Sequence, residues 1–370
     1  MSDSPVLITE QDSARGAIGV ITLNMPKTLN SLTLDMVELI QGALNRWKRD
    51  AEIAAVFIAG SGDRALCAGG DVQALHASAV ERPGGPCLYA ESFFTHEYRM
   101  NYTLHTYPKP VICWGNGIVM GGGLGIMAGC SHRVVTETTR IAMPEITIAL
   151  FPDVGGSWFL NHMPGSIGRF LALTGAQINA ADAIYIGIAD RFITSDRCNS
   201  VMEQLLAQSW TDDPAENHGL VHDVLRAAAR ASAGEKPEGQ VAAHRDQIAT
   251  LCDANTIHEV VDNITALDTD DKWLSRARDS LVNGSPLAAL RIDRQLTETR
   301  HSSLKQVFQQ EIQLSTQIVR HPEFAEGVRA LLIDKDRKPA WQYTRTRDVP
   351  AEVLDRFFVA PWDTNPLVDL

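Results

Sequence analysis

The hydrophobic positions in the first half of the chain switch between two periods. Residues 18–24 (Ile-Gly-Val-Ile-Thr-Leu-Asn) form a short apolar run ending in the turn Met25-Pro26-Lys27, which predicts a buried strand. A helical period follows: Leu32, Met36, Leu39, Ala43 and Trp47 recur at steps of four, three, four and four, and so share one face. Ser31 or Thr33 suits the N-cap of this helix, and Asp35 complements its positive end. Residues 53–59 and 110–114 are further apolar runs with β-branched members, and 132–136 is another. Between them lie the loop 60–70 and a glycine-rich stretch after which a helical pattern runs to Cys130. Strands alternating with helices predict an α/β layered domain.

Beyond about residue 200 the pattern becomes helical throughout, with alanine-rich, charged segments such as 224–233, and 233–239 reads as a surface loop. Residues 1–200 are therefore expected to form an α/β core and 201–345 a helical region. The segment 346–370 carries Phe357, Phe358, Pro361 and Trp362, apolar enough to predict a tail docked on the body. The length of 370 residues also exceeds the usual single domain.

Charge narrows the choice of partner. Thirty-three basic against 45 acidic residues give a net charge of −12. That balance argues against nucleic acid, whose phosphates need clustered Lys and Arg, but leaves room for a small anionic ligand on a local basic rim. The six cysteines form no CxxC pair and no zinc spacing, so they read as isolated thiols with no metal site. Residues 1–10 lack the pattern of a secretion signal, and 117–130 is too short and glycine-rich to span a membrane. A cytoplasmic location is the expectation from these features.

Two glycine-rich turns carry the candidate chemistry. One is Leu66-Cys-Ala-Gly-Gly-Asp71, the other Gly121-Gly-Gly-Leu-Gly125. Each stands at or before a predicted helix start, where N–H groups lack intrahelical partners and the dipole is positive. Two such groups converging on one oxygen would form an oxyanion hole. Tight helix–strand packing explains glycine clusters equally well. Gly123-Leu-Gly125-Ile-Met-Ala128 also fits the dinucleotide fingerprint GxGxxA, yet the next strand begins after only a short helix. Glu145 follows a proline in an apolar run, where desolvation would raise its pKa toward useful base strength. Alternatively it marks a helix start, Asp153 caps the turn 154–156, and Glu97 is a solvated helix-face charge.

Three segments in order resemble the enoyl-CoA hydratase/isomerase (crotonase) superfamily: Arg64-Ala-Leu-Cys-Ala-Gly-Gly-Asp71, Asn116-Gly-Ile-Val-Met-Gly-Gly-Gly123 and Met143-Pro-Glu-Ile-Thr-Ile-Ala-Leu-Phe-Pro-Asp-Val-Gly-Gly156. Phe93-Phe-Thr-His-Glu-Tyr98, Phe151-Pro-Asp-Val-Gly-Gly156 and the long C-terminal part are similar to its 3-hydroxyisobutyryl-CoA hydrolase branch. Gly125 stands where hydratases carry a first catalytic glutamate.

The resemblance implies a crotonase (ClpP-like) spiral of ββα units with a mainly helical C-terminal part. It implies oxyanion donors at Gly70 and Gly122, Glu145 as catalytic carboxylate, and Asp153 and Glu97 on the acyl group or the water. Coenzyme A would run along Lys27, Leu29, Ala65, Ala68 and Asp71. The implied activity is hydrolysis of a short branched 3-hydroxyacyl-CoA, with coenzyme A as part of the substrate and no separate cofactor. A homo-oligomer, a trimer or a multiple of it, is also implied. The missing glutamate at Gly125 weakens hydratase or isomerase chemistry without removing it, since Glu97 or Asp153 could replace it. A non-catalytic coenzyme A binder is the third reading. There is no GxSxG nucleophile elbow.

Overall fold

The computed structural model describes residues 4–370. Among these residues nine strands make two sheets. The larger has the order β1-β2-β3-β5-β7-β9 and the smaller β4-β6-β8. The ranges are β1 Val6–Asp12, β2 Ala17–Leu23, β3 Ile53–Gly60, β4 Ala65–Cys67, β5 Val111–Gly115, β6 Ile118–Met120, β7 His132–Val135, β8 Arg140–Ala142 and β9 Arg191–Phe192. Only β1 runs antiparallel, against β2; the other pairings of the large sheet are parallel. Successive strands alternate between the sheets, β3, β5 and β7 in the large one and β4, β6 and β8 in the small one. That alternation is the repeated ββα winding of the crotonase fold.

Strands β2, β3 and β5 match the apolar runs to within a residue because each is buried over most of its length. β1 escaped the pattern: half of it faces solvent, and Glu10, Gln11 and Asp12 break its apolar period. The helix Leu34–Trp47 forms as expected, and its cap is Thr33, whose hydroxyl accepts from the Met36 N–H at 3.3 Å. Of the five positions on the expected face, Leu32, Met36, Ala43 and Trp47 are buried and Leu39 is not. Met36, Val37, Ile40, Ala43, Leu44 and Trp47 point inward, whereas Leu39 is 39% exposed. A step of three from Met36 to Leu39 rotates past the stripe, and Ile40, a step of four, occupies it instead.

The described chain divides into two units. The first comprises residues 4–70, 100–141 and 178–242; the second comprises 71–99, 142–177 and 243–370. The pattern alone suggests one cut near residue 200, but the structure interleaves the segments. In the first unit the helix Pro214–Ser232 lays Val221, Val224 and Leu225 into the core formed by Ile18, Phe57, Ile112 and Trp114. Residues 201–242 therefore belong with the sheet, because they cover its apolar face. The helices beyond 243 pack in the second unit. There the tail buries Phe357 and Leu367, and the guanidinium of Arg291 lies 4.5 Å above the Phe357 ring.

Candidate active site

In the first unit, β4 and β6 pair in parallel with Cys67 opposite Val119. Parallel register sets the two turns that follow side by side, so Gly70 and Gly122 stand at equal distances beyond the paired residues. Gly69 has a φ of +113° and Gly121 of +49°, conformations that side chains resist. Gly122 opens the helix Gly122–Gly129, so its N–H belongs to the first turn, which has no intrahelical acceptor. Gly123 has a different task. A Cβ there would lie 2.3 Å from the Cys67 carbonyl oxygen. Packing therefore accounts for Gly123. β6 and β7, on either side of this helix, join different sheets, so the GxGxxA match lies in no single-sheet βαβ unit.

The turn 26–32 and the loop 65–70 are stitched together in this unit. The Ala68 N–H donates to the Leu29 carbonyl at 3.0 Å, and the Leu32 N–H to the Gly69 carbonyl at 2.8 Å. Leu29 is left-handed, with φ 56°. Lys27 lies exposed in the single turn Pro26–Thr28, and Ala65 is buried in β4. Asn30, absent from the sequence reading, is the pin. Its side chain is fully buried, accepts from the Met25 N–H at 2.9 Å and donates to the Ser61 and Ala65 carbonyls at 3.1 and 2.9 Å. Cys67 is buried, and its sulfur accepts from the Gly69 N–H. Asp71, the last coenzyme A candidate, caps the helix Val72–Glu81 by accepting from the Ala74 N–H at 3.2 Å.

The second unit holds the acids. Glu97, Glu145, Asp153 and Glu311 are all buried. Glu145 opens the single turn Glu145–Ile148, and Glu97 lies on the helix Leu88–His105. Neither Oε2 of Glu145 nor Oε1 of Glu97 has a hydrogen-bond partner among the described residues. Burial is the main force on both: it pushes their pKa values well up, and the Asp153 charge adds to it. Glu97 is not a solvated helix-face charge.

Asp153 differs. Burial raises it only to about 6, because the Tyr98 hydroxyl donates to its Oδ2 at 2.6 Å. Its side chain does not cap the following helix Gly156–Asn161. Glu311 performs that task, accepting from the Gly155 N–H at 2.7 Å and the Ser157 N–H at 2.9 Å. Burial pushes Glu311 up to about 8 against those two hydrogen bonds. The turn bearing Glu145 is fixed from behind. The Ser285 N–H donates to the Ile146 carbonyl at 3.3 Å, and Arg291 Nη2 donates to the Ala149 carbonyl at 2.9 Å.

The sequence pattern assigns no role to Tyr98, Ser285, Arg291 or Glu311, nor to Ser315, whose Oγ lies against the Tyr98 hydroxyl. Glu311 and Ser315 did leave a signal. They interrupt the apolar stripe Val307, Phe308, Ile312 and Ile318 of the helix Leu304–Val319, where a carboxylate has no reason to sit unless something binds it.

A family model described as enoyl-CoA hydratase/isomerase matches residues 18–358. The chain belongs to the enoyl-CoA hydratase/isomerase family. Within that family it is 37% identical over 345 residues to the mitochondrial 3-hydroxyisobutyryl-CoA hydrolase of Danio rerio, covering 93% of this chain and 87% of that one. The human protein of the same name is 36% identical over 346 residues, covering 93% and 86%. Among solved family structures, a carnitinyl-CoA dehydratase from Mycobacterium thermoresistibile superposes with a TM-score of 0.85 at 33% identity, covering 98% of both chains. An enoyl-CoA hydratase from Rhodobacter sphaeroides gives 0.82 at 34%, covering 97% of this chain and 98% of that one.

These findings correct one expectation. The curated relatives are mitochondrial by name, which overturns the cytoplasmic location. Unpaired cysteines and the lack of a long apolar segment bear on disulfides and membranes, not on the choice of organelle. Among the described residues no helix is long and apolar enough to cross a membrane, and no group of three or more His, Cys, Asp or Glu could hold a metal.

Proposed function

We propose that this family member hydrolyses a short branched 3-hydroxyacyl-CoA of the 3-hydroxyisobutyryl type to the free acid and coenzyme A. The observation that carries this reading is Glu145, a buried carboxyl with one oxygen unpartnered and its pKa raised mainly by burial. The names of the relatives support the same chemistry.

In this reading the N–H groups of Gly70 and Gly122 take the thioester oxygen, and coenzyme A runs along Lys27, Leu29, Ala65, Ala68 and Asp71. Water attacks the carbonyl carbon while a carboxylate takes its proton. The oxyanion is stabilised by the two amides; losing one such donor typically costs roughly 3–4 kcal/mol. Collapse breaks the C–S bond and expels the thiolate, which regains a proton from the acid just formed. Burial raises the pKa of Glu145, which makes its ionised form a stronger base. Attack by Glu145 itself, giving an anhydride that water then opens, is the alternative route. Asp153 and Glu97 contact the 3-hydroxyl or the water. The protein needs no cofactor beyond the coenzyme A of its substrate. It works as a homo-oligomer, a trimer or a multiple of it, with neither nucleic acid nor membrane as partner.

A second reading, hydration of an enoyl-CoA, draws support from the printed names of the two solved structures and from Glu97, which offers a second carboxyl in place of the side chain absent at Gly125. Thiol release over a panel of acyl-CoAs, measured beside the absorbance of the enoyl chromophore, separates the two. Hydrolysis predicts thiol release from 3-hydroxyisobutyryl-CoA that is lost in Glu145→Gln. Chromophore loss from crotonyl-CoA without thiol release would replace the first reading with the second.

A further inference from the structure

We propose that Tyr98 is a positioning residue for the Asp153 carboxylate, held in turn by Ser315 on the helix Leu304–Val319. The inference rests on the reading of Asp153 as part of the reacting acid cluster.

Tyr98 is fully buried, with its ring between Phe94 and Phe308 at centroid distances of 5.7 and 6.0 Å. Its hydroxyl meets two oxygens, Asp153 Oδ2 at 2.6 Å and, in a short contact, Ser315 Oγ. The direction of these bonds follows from the donor inventory. An ionised carboxylate only accepts, so the single phenolic proton goes to Asp153, and the Ser315 hydroxyl must donate to the phenolic oxygen. Ser315, Tyr98 and Asp153 thus form a one-way chain in which each bond polarises the next.

The same helix grips the backbone just beyond Asp153. Val154 and Gly155 have φ values of 55° and 84°, and Glu311, one turn before Ser315, accepts the N–H groups of Gly155 and Ser157. A β-branched residue in the left-handed region is strained and persists only where its surroundings hold it. Side chain and backbone of the 153–157 segment are therefore both set by Leu304–Val319.

Two consequences follow. One oxygen of Asp153, Oδ2, is committed to Tyr98. The Asp153 charge raises both Glu97 and Glu145, and of these three acids Asp153 alone has a hydroxyl donor holding its charged form. Glu97 and Glu145 each keep an unpartnered oxygen. Asp153 is accordingly the member of the cluster whose charged form is best supported.

The test uses the full-length wild type, Tyr98→Phe and Ser315→Ala. Carbon-13 NMR follows the Asp153 carboxyl, assigned with Asp153→Asn, and thiol release is measured against pH. The Asp153 midpoint near 6 in the wild type moves up by on the order of one pH unit in Tyr98→Phe, the scale of a lost charge-assisted hydrogen bond. It moves in the same direction by less in Ser315→Ala. The rising limb of the rate profile follows, and kcat falls about tenfold while KM changes little. An unmoved midpoint in Tyr98→Phe overturns the proposal, because a purely packing role would lower the melting temperature and leave the titration alone. If Tyr98→Phe does not fold, Ser315→Ala decides by the same criterion. Absence of thiol release in the wild type would sink the hydrolase reading, while the NMR titration would still judge Tyr98.

Discussion

The glycine turns of the first unit and the acid cluster of the second present two ways of building chemistry. In the turns the proposed working groups are main-chain amides. Two left-handed glycines and one helix start, both local features, shape the turns, and the parallel pairing of Cys67 with Val119 sets the turns side by side. In the cluster the proposed working groups are carboxyls, and what matters is their protonation. That depends on burial and on partners such as Tyr98 and Glu311, the latter more than 150 residues away from the backbone it holds. Amides need no tuning, because their dipoles are permanent. Carboxyls must be desolvated, and desolvation is a property of the packed molecule.

The largest test of this contrast is Glu145→Gln. Thiol release should fall by about 10²–10⁴-fold, the usual worth of a general base, without a lower melting temperature. A variant that instead unfolds would make Glu145 structural and erase the contrast.

Next comes Gly123→Val, which strikes the first unit through packing alone. The added carbon meets the rigid Cys67 carbonyl, so unfolding in urea should show a loss of about 3 kcal/mol, the upper end for overpacking. Unchanged stability would mean that the glycine turns tolerate side chains and serve only as donors.

A smaller effect sharpens the account of the cluster. Glu311 is raised from 4.5 to about 8 and Asp153 from 3.8 to about 6. In each case the native state binds the proton more tightly than the unfolded chain does. Their stabilisation is complete below the unfolded pKa values and is lost as pH rises through the folded ones. The melting temperature should therefore fall between pH 4 and 8, by way of these groups, and Glu311→Gln should flatten that slope while starting lower. A slope unchanged by the substitution would locate the dependence elsewhere. The smallest effect is at Leu39, whose truncation to alanine should cost within about 0.5 kcal/mol, several times less than the same change at Ile40.

How far the sequence could be read follows the same division. Strands buried over most of their length, β2, β3 and β5, announce themselves as apolar runs, and Thr33 as a cap. The half-exposed β1 does not, and on the helix Leu34–Trp47 the period places every face residue but Leu39 correctly. At the site, the glycines and Glu145, Asp153 and Glu97 could be named because they lie in short motifs that resemble a family. Asn30 and Arg291 could not, since each works by reaching backbone that only folding brings near.

The order of residues thus determined the alternation of strand and helix, the glycines where the backbone turns left-handed, and which acids sit in apolar surroundings. Those outcomes depend on neighbours within a few positions. Tertiary structure alone decided that residues 201–242 cover the sheet, that helices beyond 243 join segments from much earlier, and that Tyr98 stands between Ser315 and Asp153. Burial and hydrogen bonding across long loops set the charge of a carboxyl, and no local pattern encodes which distant side chain will complete them.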